Sequence, residues 1–462
     1  MPDITFSNKN YTKFYSVLIV FFAITLFAGQ YFIERINFNY LVGWQLLLHL
    51  IFILFYFTRK YISLQQLFFA AIILRIGSAF IMPSLSDDIY RFIWDGQLIV
   101  NGQNPLLTTP DNYLSALSNS NANFSYLQQL HGLINHPQFY TCYPPLMQGV
   151  FTVAAFFGGS SIFMSIVIIK LIVALADCVA VYFVVKILKK INADVKLVAL
   201  YALNPLIIIE GAGNAHFEVM QVALVVISIY FILQYKYNFA AVFWGLAIVT
   251  KLLPLLLLPL MVRLLGLKKG ILFCLIAVAI AVLLFIPFVA TGSIDGFAKS
   301  LNLYFQNFEF NASIYYIARE VGWWFKGYNY ISFIGPFLML IFLLIYAAIF
   351  FIKRKLSFKE FALFSLIILS LYYFFATIVH PWYIINLLPF ALMANKKYAF
   401  VWMGIAFLSY NAYGNTNFKE NYYLVALEYL VVITSIYFSL KKTRLLFLGR
   451  QFRIFIYFIS LL

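Results

Sequence analysis

ILFCLIAVAIAVLLFIPF, residues 271 to 288, contains no charged side chain. An apolar run of this length is what a helix needs to cross a hydrocarbon core of roughly 30 Å at about 1.5 Å per residue. A transmembrane β-strand would instead alternate apolar and polar positions over about ten residues, and this stretch does not alternate. Similar runs recur from end to end of a 462-residue chain that is 64% hydrophobic and 10% charged. A soluble domain of that composition would have almost no polar surface to cover its core. The sequence therefore predicts an all-α polytopic integral membrane protein.

Spans are expected at 14–33, 40–57, 64–83, 162–185, 197–213, 216–234, 270–290, 331–352, 361–379, 382–394, 398–413 and 424–440. The net charge of +16 could suggest nucleic acid, but most Lys and Arg residues stand in short connectors, where membrane orientation accounts for them. No nucleic-acid partner is expected. With the N-terminus inside, Lys9, Lys13, Arg59, Lys60, Lys186, Lys189, Lys190, Lys236, Arg263, Lys268, Lys269, Lys353 to Lys355, Lys396, Lys397, Lys441, Lys442 and Arg444 all fall on the cytoplasmic side. Cys142, Cys178 and Cys274 have no paired spacing, so neither a disulfide framework nor a zinc site is indicated. The polar start is followed by no small-residue cleavage site, so the first helix is read as retained.

The same topology places residues 84–144 outside as the largest loop, with short helices of its own. Residues 238–264 begin after Lys236 and end at Arg263, so both ends lie inside, yet 27 residues cannot cross twice. A re-entrant hairpin satisfies both constraints, with Thr250, Lys251 and Pro254 at its turn. Residues 144–158 are expected as a short helix lying against the outer surface, and the tail 445–462 as an interfacial helix. The whole chain reads as one membrane domain of about 12 to 13 helices including the hairpin. Within it, 1–63 supply extra N-terminal helices, 64–395 the core, and 396–462 the C-terminal helices and tail.

Asp87 and Asp88, in SDDIYRFIWDGQLIVNGQNP (86–105), place two adjacent carboxylates at the outer face of a chain otherwise poor in acid. A solvated helix start is the plain alternative. Tyr90, Arg91, Trp94 and Asp95 follow at helical spacing and mix aromatic with charge, as sugar and phosphate sites do. Lys251 is costly near the membrane centre, and its sequence neighbours cannot pair with it, so an anionic ligand or a distant carboxylate must. His380 with Trp382 and Tyr383 marks another outer break, and Asn214, His216 and Glu218 a third, with Glu210 one helical turn before Asn214. Asp177 is expected to pair with Lys170, Lys251 or a backbone group. The acid pair alone is weak evidence for metal; none is required, though Mg or Mn could assist. Asn123 and Asn311 head sequons that matter only in a glycosylating host.

Five stretches in order, SDDIYRFIWDGQLIVNGQNPL, YPPLMQ, LNPLIIIEGAGNAHFEV, LAIVTKLLPLLLLP and HPWYIINLLP, resemble bacterial polyprenyl-phosphate-dependent mannosyltransferases of the GT-C superfamily. More distantly they resemble the catalytic subunit of the eukaryotic GPI mannosyltransferase I. The resemblance covers roughly residues 64–395. Adjacent Asp87 and Asp88 replace the spaced Asp-x-Asp of many relatives, and Glu218 stands where an Asp is usual. The resemblance implies a GT-C-like fold and transfer of a hexose, usually mannose, from a polyprenyl-phosphate carrier to a hydroxyl of a glycan, lipid or protein acceptor. The reaction would run with inversion at the extracytoplasmic face of a bacterial inner membrane. Asp87 or Asp88 would be the base; Lys251, His380, Arg91 and Arg319 would face the donor phosphate; Trp94, Asp95, Tyr143, Asn214, His216, Glu218, Trp382 and Tyr383 would bind substrate. A flippase of lipid-linked saccharides is the rival reading, since it too shows intramembrane charge and broken helices.

Overall fold

The computed structural model describes residues 8–118, 122–290, 294–306, 308–414 and 418–441. Regular structure among them is helical apart from one isolated parallel bridge between Phe310 and Ile378. The first third of the chain forms α1 (Asn8–Phe32), α2 (Phe38–Thr58), α3 (Leu64–Ala79), α4 (Asp88–Val100), α5 (Pro110–Ala116), α6 (Phe124–His131) and α7 (Pro145–Gly158). The middle forms α8 (Ile162–Lys190), α9 (Ala199–Ala202), α10 (Pro205–Ile208), α11 (Glu218–Leu233), α12 (Tyr237–Ile248), α13 (Leu258–Leu265), α14 (Leu267–Val289) and α15 (Ile294–Gln306). The last part forms α16 (Ile314–Lys326), α17 (Ile331–Ile352), α18 (Phe358–Phe375), α19 (Leu388–Ala394), α20 (Tyr398–Ile405) and α21 (Tyr422–Lys441).

Seven of the described helices are long and apolar enough to cross a membrane: α1, α2, α8, α14, α17, α18 and α21. An eighth crossing arises if the pair Val195–Ala202 and Pro205–Gly213, bent by 53°, counts as one broken span. The remaining expected spans are shorter apolar helices such as Leu64–Ala79 and Glu218–Leu233. A short helix is tolerable at membrane depth when protein surrounds it, and most of α11 is buried. This is an all-helical polytopic integral membrane protein.

The hairpin expected at 238–264 runs alongside α14. Lys269 Nζ lies over the Tyr237 ring, 5.2 Å from its centroid, and Gly245 abuts Ala277 and Ile280, so α12 rises beside α14. Cys274 Sγ then meets Leu258 O at 3.4 Å and Gly270 abuts Val262, so the chain descends the same helix. Its turn, at Val249 to Leu252, stays at the level of the upper half of α14. Helix α7 differs from expectation: it forms a tight hairpin with α8 through Gly158, whose Cβ position lies 2.1 Å from Ser165 Oγ, instead of lying flat. Its first turn touches the re-entrant turn, where Leu146 N donates to Val249 O at 3.3 Å.

Asp177 pairs with neither lysine expected of it. Arg75 Nε donates to its Oδ2 at 2.6 Å and Tyr201 Oη to its Oδ1 at 2.8 Å, all three side chains being fully buried. Lys170 caps the end of α3 instead, on Ile81 O. Asn311 is 1% exposed and its Nδ2 donates to Val379 O, so this sequon is closed to modification. Asn123 lies on the surface. The tail 445–462 lies outside the described residues.

Candidate active site

Helix α4 sets the acid pair. Gly96 lets it approach α7 so closely that a Cβ there would sit 2.1 Å from Phe151 O. Phe92 stacks on Phe151 with centroids 4.7 Å apart and also meets Tyr143 and Phe217, which binds α4 to α7 and to the start of α11. The loop before the helix is pinned as well: Leu85 N donates to Asn214 Oδ1 at 3.0 Å and Arg35 N to Ser84 O at 3.3 Å. Asp87 and Asp88 then have unequal surroundings. Asp87 is ion-paired with Arg35 and accepts from Asn135 Nδ2 at 2.9 Å. Asp88 accepts from Tyr143 Oη at 3.3 Å and from no other side chain among the described residues. Tyr90, one turn on, is held protonated by burial and by the Asp87 charge, both of which push its phenol up.

The re-entrant turn brings Lys251 against Glu218, the first residue of α11, in an ion pair. Gln221 Nε2, one turn along α11, holds Lys251 O at 2.5 Å. Lys251 Nζ also lies 4.9 Å from the Tyr383 ring centre. Trp382 carries two stacked imidazoles, His216 at 3.6 Å and His380 at 4.3 Å. Acid, cation, two histidines and two aromatic rings from four separate stretches of chain thus meet at one end of the bundle. Among the described residues no group of three or more His, Cys, Asp or Glu is arranged to hold a metal.

The sequence model of the alpha-(1->6)-mannopyranosyltransferase family, N-terminal domain, matches residues 30–266, just over half of the chain. The chain belongs to that family. Neither the curated proteins nor the solved structures give a match. The matched part of this mannosyltransferase holds Asp87, Asp88, Asn214, His216, Glu218 and Lys251, while His380, Trp382 and Tyr383 join them from beyond it.

Not every residue singled out from sequence reaches this cluster. Arg91 Nε donates to Asp95 Oδ1 at 2.8 Å, one turn along α4, and Gln148 Nε2 to Asp95 Oδ2 at 3.0 Å. That pair joins α4 to α7. Trp94 is fully buried against Tyr113 and His131. Arg319, on α16, pairs with Glu309 and Glu320 and belongs to a second polar cluster with Tyr316 and Glu420, whose carboxyl burial pushes up. Asn214 contributes through the backbone: its Nδ2 donates to Ile209 O at 2.9 Å while its Oδ1 holds the loop ahead of Asp87. Arg35 had escaped notice in the mannosyltransferase sequence. Its signal was there, a basic residue just past α1, in a connector that the expected topology puts on the side poorer in basic residues.

Proposed function

We propose that this mannosyltransferase moves a mannosyl group from a polyprenyl-phosphate carrier to an acceptor hydroxyl at the extracytoplasmic face of a bacterial inner membrane, with inversion and with Asp88 as base. The observation that carries the reading is the unequal acid pair. Arg35 and Asn135 engage Asp87, which leaves Asp88 with the freer carboxylate beside the Lys251 turn. Asp88 takes the proton of the acceptor hydroxyl as its oxygen attacks the anomeric carbon. The bond from that carbon to the phosphate oxygen breaks, and its electron pair leaves with the polyprenyl phosphate. The family description names an alpha-(1->6) product, so inversion calls for a beta-linked donor.

Lys251 would supply positive charge to the departing phosphate and stabilise it without protonation, with His380 beside the same Tyr383 ring as a hydrogen-bonding group. Glu218 is fully buried with Oε2 unpartnered among the described residues, so the Lys251 pair is not saturated. An apolar cleft lined by Val222, Leu253, Pro254 and Phe390, with Gln221 and Asn386 at its polar edge, adjoins the turn and suits a prenyl chain.

The test is mannosyl release and transfer from a synthetic polyprenyl-phosphate-mannose, with and without EDTA, for the wild type, Asp87→Asn and Asp88→Asn. Loss of turnover by about 10² to 10⁴-fold in Asp88→Asn, with carrier binding intact, is expected of a general base. Full turnover in Asp88→Asn with loss in Asp87→Asn would reverse the assignment. Wild-type protein that translocates the carrier without cleaving it would favour the flippase.

A further inference from the structure

Glu210, His216 and Tyr410 form a buried line that the transfer step above leaves unused. Glu210 Oε2 lies 3.0 Å from His216 Nδ1, and Tyr410 Oη donates to Glu210 Oε1 at 2.7 Å. The backbone is shaped to bring them together. Residues 209–213 form a π-helical turn, Ala215 adopts φ +62°, and His216 N donates to Glu210 O at 2.9 Å. A π turn and a left-handed non-glycine residue are both uncommon, and such features concentrate at functional sites. A carboxylate only accepts hydrogen bonds, so Nδ1 must carry the proton. Nε2 is therefore the ring nitrogen left to act. It is buried with no hydrogen-bond partner among the described residues, while its ring lies stacked on Trp382 beside His380. An orphaned polar atom in such a place is costly unless a ligand engages it.

We propose that Glu210 and Tyr410 lock His216 as its neutral Nδ1–H tautomer, so that Nε2 presents a lone pair to a sugar hydroxyl and reads that hydroxyl for specificity. The inference rests on the mannosyl-transfer reading. A phosphate offers acceptors and would not pair with this nitrogen, whereas Lys251 suits it. The hydroxyl belongs either to the transferred mannosyl group or to the acceptor.

Matched series of monodeoxy donors and monodeoxy acceptors decide between these sources, with kcat and KM measured for the wild type, His216→Asn, Glu210→Gln and Tyr410→Phe. The wild type is expected to lose at least about tenfold in kcat/KM on one deoxy compound, since a site built around a hydroxyl rejects the analogue lacking it. His216→Asn should treat that compound and its parent alike. Glu210→Gln keeps the volume but turns an amide NH₂ toward Nδ1, which drives the proton onto Nε2; it should lose the same discrimination at an unchanged melting temperature. Tyr410→Phe should lose part of it. The proposal is overturned if His216→Asn still discriminates against every deoxy compound. It is also overturned if its defect is equal for all of them and matches weaker binding of mannose-free polyprenyl phosphate, which would make His216 a phosphate contact. Asp88→Asn, by contrast, should slow all compounds equally, so a failure of the base assignment reads separately. Were the wild type to turn over no carrier, the transfer reading would fail alone, and the deoxy series read by binding would still decide His216.

Discussion

Two ion pairs lie among the apolar helices, and they differ in exposure. In the Arg75–Asp177 pair both side chains are 0% exposed, both carboxylate oxygens are engaged, and Arg75 Nη1 also donates to Ala202 O at 2.8 Å. In the Lys251–Glu218 pair the lysine is 26% exposed, faces the Tyr383 ring, and its carboxylate partner keeps one oxygen unpartnered among the described residues. The first pair ties α3 to α8 and to α9. The second holds a re-entrant turn open to something else. Arg75 Nη2 also lacks a partner among the described residues, so an unpartnered atom alone does not mark a site; the second pair differs in its partly exposed lysine beside an aromatic ring.

The comparison breaks first, if it is wrong, at Arg75. Arg75→Met leaves Asp177 buried without its cation, with Tyr201 as its one remaining donor among the described residues, and a loss of about 3–5 kcal/mol in unfolding free energy is expected, read by melting in detergent micelles. Arg75→Met with Asp177→Leu should recover much of it, and neither should change kcat in the folded fraction. A large fall in kcat at an unchanged melting temperature would make this pair functional after all. Lys251→Met, unlike Arg75→Met, should also lower activity: a loss of about 1.5–3 kcal/mol in transition-state stabilisation, roughly 10 to 10²-fold in kcat/KM. Because Glu218 is left buried without its cation, the melting temperature should fall as well, while Lys251→Arg should keep the fold and part of the activity. Between site and scaffold stands Gly96→Ala, where the new methyl meets Phe151 O; about 1–3 kcal/mol of stability should go, and kcat with it, because α4 carries Asp88. The smallest effect is expected from Arg35→Gln. The Arg35–Asp87 pair is 26% and 37% exposed, so about 1 kcal/mol or less is at stake, and a drop in turnover approaching that of Asp88→Asn would show that Asp87 is the base.

What the sequence made legible divides along the same physical line. Apolar runs such as 271–288 announce membrane helices without any partner, and Lys236 and Arg263 force the hairpin by charge alone. The outer loop carries its short helices α4, α5 and α6 as expected. Pairing is another matter, because it depends on which helices touch. Nothing around Asp177 in sequence points to Arg75, 102 residues away, and nothing around Lys251 names Glu218. Arg91 and Asp95 looked like site residues because they share a helix with Asp88, but the helix turns them toward α7 and residue 139. Periodicity reports a face of a helix, and only packing says what that face meets.

The π-helical turn at residues 209–213 also fixes how the chain is counted. Such a turn holds one residue more than an α-helical turn, so it behaves as a single-residue insertion retained within the helix. Removing one residue there, for instance Ala212, should let an ordinary α-helical turn form and rotate the following residues by about 100°. His216 would leave Glu210, while the seven long helices kept their sequences. A chain length altered by one residue should thus abolish transfer with the helical circular-dichroism signal intact.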